Sequence, residues 1–399
     1  MERFFISSRV LGSDKHFDVS PEGFSATDKV DSSAWILDKS FTNSSPCVRA
    51  LFKLGGLDLV TDPHEKYVKA MSVVAPGFDP PWSKVLSADQ YKVFVKKLIK
   101  FVASNMDEMP KEYCRTTWVD CGSVFEALRP AKIDSVKYKD FLSSSPDKGA
   151  VLETFKSGPG GYAQPVVYNR FGTRTGRLTV DSGPNILTLK REHRSVLKSS
   201  FQDGFIVSLD FSALEARIIL CEAGEMSLAS DLYAQISEEV FGGRFTRSSV
   251  KVAVLSELYG ASKSTLGYKL ELCNEDLDRF VATIRDHFKT NILREKLKRE
   301  LEETGKIRNK FGRPLEVSEK NADHLIVNTY AQSTGVDVAL LGFKNILSRL
   351  GTDGVRPLFV LHDALILDVR EDRMRDVAAA TSVAVPSYDH EFPLKLEIM

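Results

Sequence analysis

Apolar and polar positions along the chain divide it into a few readable elements. In FIVSLDFSALEARIIL, Phe205 to Leu209 form a buried-strand run that ends on Asp210, and PLFVLHDALILDV repeats the design as a single strand carrying Asp363. From Ser87 to about Met106 the spacing predicts an amphipathic helix with Phe94, Leu98, Phe101 and Val102 on one side and Lys92, Lys96 and Lys100 on another. Residues from about 226 to 305 read as mostly helical, and further helices are expected around Val327 to Leu350 and after the second apolar strand, before the closing PLKLEI. The segment NRFGTRTGRLTVDSGPNILTL is basic, glycine-rich and strand-prone, and it follows loop-like SSSPDKG and SGPGGY stretches. Residues 1 to about 85 mix Ser, Asp and Pro with short apolar runs and breakers such as TDPHEK and PGFDPP, and no chemistry is assigned to them.

Strands separated by long helical insertions, without regular alternation, predict an α+β fold in which a helical subdomain interrupts a sheet. The chain of 399 residues, 43% apolar, is long enough for two or three structural units. Lys plus Arg and Asp plus Glu both number 54, so a polyanion-binding surface has to be a local patch. Five cysteines, Cys47, Cys114, Cys121, Cys221 and Cys273, lack CxxC spacing, which argues against a disulfide framework or zinc cluster and for a reducing compartment. No run of 18 apolar residues and no signal-peptide core occur, so neither a membrane nor secretion is expected.

Burying one carboxylate without a partner costs several kcal/mol, and a cation shared by Asp210 and Asp363 would offset that cost. Oxygen ligands that leave room for water and phosphate favour Mg²⁺. Read alone, Asp210 before SALEAR serves equally well as a helix cap. RSSVKVAVLSELYG places Arg247, Lys251, Leu255 and Tyr259 at steps of four, drifting only about 40° per step along one helix face, with Gly260 ending or bending the helix. Two cations one turn apart can grip a triphosphate while the apolar side chain and ring pack against a base. A bland helix with a basic end would look the same, and the Lys92 to Lys100 stripe is by itself an ordinary solvated face.

Together these segments resemble the family A DNA polymerases over residues 160 to 399. DFSALEAR is similar to motif A, which implies Asp210 as a metal ligand together with the Phe211 backbone carbonyl, and Glu215 as the residue that closes the sugar pocket. Arg247, Lys251, Tyr259 and Gly260 fit motif B, and His362 with Asp363 fits motif C. TRTGRL resembles the segment whose arginine, here Arg177, probes the primer-template minor groove, followed by Asn185 of PNIL. NTYAQSTGVD implies Asn328 and Gln332 as contacts to the template and nascent pair, FGRPL implies Arg313 as a DNA-backbone contact, and Lys92, Lys96 and Lys100 become candidates for tracking duplex phosphates.

The resemblance implies a right-hand polymerase with an antiparallel palm sheet, helical fingers and a reduced thumb. Its divisions would be an N-terminal region of unknown role (1–85), a thumb-like helical region (86–160), the palm in two parts (161–225 and 321–399) and the fingers (226–320). Asp210, Asp363 and Lys251 would be catalytic, with two Mg²⁺ ions, or Mn²⁺ in their place. Arg247, Lys251, Leu255, Tyr259, Glu215 and Tyr233 would bind the nucleotide. The implied activity is primer extension with dNTPs on a DNA template, without 3′-5′ proofreading. A single-subunit RNA polymerase-like enzyme and a catalytically impaired replication scaffold are the alternatives. Partners would be primer-template DNA, dNTPs and a processivity, helicase-primase or proofreading protein. The expected location is the cytoplasm of a bacterial or phage-infected cell, with an organelle as the alternative. Three positions depart from the family pattern: Leu255 replaces an aromatic residue, Ala364 replaces a glutamate, and Tyr233 replaces a histidine.

Overall fold

A computed structural model describes residues 3–20, 23–30, 34–37, 48–56, 67, 70–71, 74–75, 80–144, 149–225, 227, 229–259, 263–317 and 322–399. Cys47, Gly260, the TDPHEK segment, residues 145–148 of SSSPDKG and most of PGFDPP lie outside them. The chain forms two compact units, one of residues 1–123 with 312–314, the other of residues 124–311 with 315–399.

In the first unit, short apolar strands form a four-stranded sheet in the order β3-β2-β1-β4, from β1 (Phe4–Ile6), β2 (His16–Ser20), β3 (Gly23–Thr27) and β4 (Trp35–Leu37). The parallel β1–β4 pair puts Phe4 opposite Trp35, and with Phe52 these rings make a fully buried core. Helix α1 (Ala88–Asn105) starts where predicted, because Ser87 and Gln90 make a reciprocal capping box. It buries Val95, Leu98 and Val102 and leaves Lys92, Lys96, Lys97 and Lys100 exposed.

The second unit is built on a five-stranded antiparallel sheet in the order β6-β7-β5-β9-β8. Its strands are β5 (Gly204–Phe211), β6 (Val355–Leu361), β7 (Ala364–Arg370), β8 (Ser382–Ala384) and β9 (Glu391–Ile398). PLFVLHDALILDV is thus two strands, not one. His362 adopts a left-handed backbone (φ 56°) and turns β6 straight into β7, which lifts Asp363 off the strands onto the turn between them.

Side chains alternate across β5. Val207, Leu209 and Phe211 share one face, on which Phe211 meets helix α7 (Ala322–Leu350), with the Phe211 and Phe343 ring centroids 5.6 Å apart. Gly342 permits that approach, since a Cβ there would come within 2.7 Å of the Phe211 ring. On the opposite face Ile206 joins Ala364, Ile366, Ile133, Leu152, Phe155 and Val196 in an apolar cluster. Asp210 shares this second face, beyond the end of the cluster.

Between β5 and β6 the chain is mostly helical, as the sequence predicts: α2 (Leu214–Glu222), α3 (Leu232–Glu239), α4 (Arg247–Tyr259), α5 (Asn274–His287) and α6 (Thr290–Thr304), then α7. Glu257 of α4 ties three of them together, accepting from Arg285 at 2.8 and 2.9 Å and Thr290 at 3.3 Å, with Arg294 3.6 Å away. The α+β expectation, a sheet interrupted by a helical subdomain, describes this unit. Among the described residues no helix is long and apolar enough to cross a membrane.

Candidate active site

Strand register brings the two predicted aspartates together although 153 positions separate them in sequence. Asp210 pairs with Ala364, the residue after Asp363, and the Phe211 amide donates to the Asp363 carbonyl at 3.1 Å. Neither carboxylate takes a side-chain hydrogen bond or ion pair among the described residues. Burial, then the neighbouring Asp363 and Glu397 carboxylates, push Asp210 up to about 7, with Lys395 and Lys251 opposing. Burial, followed by the Glu215 carboxylate, raises Asp363 as well. Two acids that resist ionisation side by side, with only oxygen donors, suit a hard divalent cation. Among the described residues no group of three His, Cys, Asp or Glu side chains converges here or elsewhere, so the protein would supply two carboxylates and backbone oxygen.

Of the stripe predicted on helix α4, Lys251 lies near enough for its charge to act on Asp210. Arg247, one turn earlier, is ion-paired with Asp231, the residue whose carboxylate also caps α3 by accepting from the Ala234 amide at 3.1 Å. Its guanidinium lies 5.8 Å from the centroid of the buried Tyr233 ring, within cation–π range. Leu255 is half-buried further along the helix.

At the C-terminal end of α4 the Tyr259 hydroxyl donates to Glu215, and Arg177 donates to the other oxygen of that carboxylate at 2.7 Å. Burial and the Glu215 carboxylate both raise the Tyr259 phenol, keeping it protonated and donating. Glu215 is therefore clamped from the helical subdomain on one side and from the TRTGRL segment on the other. Burial, then the Arg177 charge, pull His362 below its ordinary value, so the imidazole is neutral near pH 7.

The remaining predicted residues are more scattered. Gln332 donates to Asn328 at 2.7 Å along α7. The Asn185 backbone amide donates to the Thr154 hydroxyl at 2.9 Å, and its buried side-chain oxygen has no hydrogen-bond partner among the described residues. Arg313 is 3% exposed in the other compact unit, 3.5 Å from the Tyr113 hydroxyl, so its side chain is turned inward. Ala364 is buried in the apolar cluster.

Several residues that shape the site carry no local signal in sequence. Arg217, 3% exposed, donates to the carbonyls of Ser212 at 2.8 Å, Ser227 at 2.7 Å and Ala229, holding the connection between β5, α2 and α3. Lys395 lies directly opposite Asp210 across β9 and β5, and Arg194 is near enough for its charge and that of Asp210 to interact. No spacing rule connects residues 194, 210 and 395; only strand pairing and the packing of the preceding loop do.

A family model described as DNA polymerase family A matches residues 160–399. Among curated proteins, the thermostable DNA polymerase I of Thermus thermophilus is 26% identical over 261 residues, covering 58% of this chain and 31% of that protein. The DNA polymerase of Bacillus phage SP01 is 23% identical over 252 residues, covering 53% and 27%. DNA polymerase I of Pseudomonas aeruginosa is 25% identical over 240 residues, covering 53% and 26%. The matches thus span less than a third of these relatives' length. Among solved structures, the POL domain of Pol1 from M. smegmatis, in complex with DNA primer-template and dNTP, aligns with a TM-score of 0.58 at 14% identity. The alignment covers 100% of this chain and 94% of that one, a likeness of fold.

Proposed function

Given that the chain belongs to DNA polymerase family A, we propose that it extends a primer 3′-hydroxyl with dNTPs on a DNA template. The observation that carries this reading is the meeting of Asp210, at the end of β5, with Asp363, on the turn between β6 and β7, within reach of the charge of Lys251 on α4. The five-stranded sheet is the palm in this reading and the helices between β5 and β6 are the fingers. Asp210, Asp363 and the Phe211 carbonyl would hold two Mg²⁺ ions, or Mn²⁺, whose chemistry is to acidify the primer hydroxyl and offset phosphate charge.

In the reaction the primer 3′-oxygen bonds to the α-phosphorus as the bond to pyrophosphate breaks. Arg247 and Lys251 bind the triphosphate, and Lys251 gives a proton to the leaving pyrophosphate. Arg247 has to leave Asp231 or share it, so that ion pair holds the guanidinium ready while no nucleotide is bound. Tyr233, a buried phenol beneath Arg247, packs that arginine instead of carrying a charge to phosphate. Glu215 fills the space that a ribose 2′-hydroxyl would need, and its two clamps, Tyr259 and Arg177, keep it from swinging aside. Leu255 packs beside the incoming sugar.

Arg177, Asn185, His362, Asn328 and Gln332 line the primer-template path in this reading, with Lys92, Lys96 and Lys100 as phosphate contacts. Arg313 supports the DNA-backbone segment from within. Ala364 leaves the metal pair without a third carboxylate, and the two aspartates suffice. The test is extension of a labelled primer-template by wild type, Asp210→Asn and Asp363→Asn, with dNTPs and separately with NTPs. Extension with dNTPs that both substitutions abolish supports the reading. Preferred use of NTPs would point to an RNA polymerase, and inactive wild type that still binds primer-template would point to a scaffold.

A further inference from the structure

The sheet row at the level of Asp210 reads Ala364, Asp210, Lys395: a methyl on one flank of the carboxylate and an ammonium on the other. In a directly opposed pair both side chains stand on the same face. The Lys395 side chain is 69% exposed and shares Glu397 with Arg191, whose guanidinium is 2.9 Å from that carboxylate. One acid thus serves two cations. The side chain of a third, Arg194 on the 3₁₀ turn Arg191–Val196, makes no ion pair or hydrogen bond among the described residues, and its Nε is buried without a partner. An orphaned, half-buried guanidinium is costly unless an anion completes it.

The charges around Arg194 act on it and on its neighbours. Burial, then the like charge of Arg191, lower it, while Asp210 opposes. The same guanidinium helps to depress His362. Val196 of the same turn packs with Ile206 and Ala364 on the Asp210 face of the sheet, and Arg191 reaches Glu397 of β9, so the turn that carries Arg194 lies on the sheet side of the site, whereas the cations assigned to the triphosphate, Arg247 and Lys251, stand on α4.

We propose that Arg194 and Lys395 form a cationic clamp beside Asp210 that takes the phosphodiester nearest the primer 3′ end. The inference rests on the polymerase reading and extends it. A primer whose 3′-oxygen reacts between Asp210 and Asp363 carries its last phosphodiester one nucleotide back, and that charge needs cations on the sheet, not on α4. With Ala364 in place of a third acid, nothing on the other flank competes for them. The clamp reads backbone only and is indifferent to sequence.

The experiment measures binding of a fluorescein-labelled primer-template by anisotropy across a salt series, for wild type, Lys395→Gln, Arg194→Gln and the double variant. A second primer carries a neutral methylphosphonate at its terminal linkage. The slope of log affinity against log salt is expected to shrink by about one for each cation removed. The methylphosphonate should weaken wild type and leave the double variant unaffected. The dNTP KM should be unchanged. Unchanged slopes, a double variant still sensitive to the methylphosphonate, or a raised dNTP KM with unchanged primer affinity would each overturn the clamp. Lys395→Gln, at an exposed position, keeps the test valid if Arg194→Gln does not fold. Wild-type extension, run alongside, separates the outcomes: its absence sinks the polymerase reading, whereas its presence with unaltered variants sinks only the clamp.

Discussion

Replacing Arg217 with alanine tests how the site is held together. The guanidinium, almost wholly buried, satisfies the carbonyls of Ser212, Ser227 and Ala229, which lie in the connections that lead from β5 into α2 and on toward α3. Burial draws its pKa down, so part of what the hydrogen bonds contribute is already spent on desolvation. Truncation leaves up to three carbonyls unsatisfied at about 1 to 3 kcal/mol each, less whatever water can reach them, for a net loss of about 3 to 4 kcal/mol. Urea unfolding followed by far-UV circular dichroism is the suitable assay. Tryptophan emission is not, since Trp35, Trp82 and Trp118 all lie in the other compact unit. Arg217→Lys should recover part of the loss, since one ammonium can reach one or two of the three carbonyls. Because α2 carries Glu215, Arg217→Ala should also relax discrimination against NTPs. A stability loss below about 1 kcal/mol would refute the claim that these hydrogen bonds set the geometry of the connection.

Asp210→Asn and Asp363→Asn should each lower single-turnover incorporation at least about a thousandfold while leaving primer-template affinity within a fewfold, as read by rapid quench and anisotropy. Tyr259→Phe removes one of the two clamps on Glu215 and should raise misincorporation of NTPs without abolishing dNTP use; identical NTP/dNTP ratios in variant and wild type would count against the clamp. Ala364→Glu would place a carboxylate in the apolar cluster and should destabilise the protein by about 1 to 3 kcal/mol, measured by urea unfolding, without a gain in rate. Burial holds His287 below its ordinary value, so the unfolded chain binds the extra proton first; stability should fall as pH drops below about 6.5, and His287→Gln should flatten that part of the stability–pH curve.

Much of the architecture was legible because it depends on local period. The α1 stripe, the apolar run into Asp210 and the four-residue spacing on α4 each follow from strand or helix geometry acting on neighbouring residues. The hairpin inside PLFVLHDALILDV was not legible, since a continuous apolar run hides a turn that only the left-handed His362 makes. Sequence spacing could name Glu215, Tyr259 and Arg177 one by one, but not their hydrogen bonding to one another.

By itself, then, the order of residues determined which side chains bear charge, which helices form, and which ordered motifs mark the family. The fold alone decided which charges meet. Strand register set Lys395 against Asp210, packing turned Arg313 inward and Arg217 onto three carbonyls, and the loop before β5 left Arg194 without a partner among the described residues. These are contacts between segments far apart in the chain, and the free energy of such a contact depends on burial and distance, neither of which a linear pattern encodes.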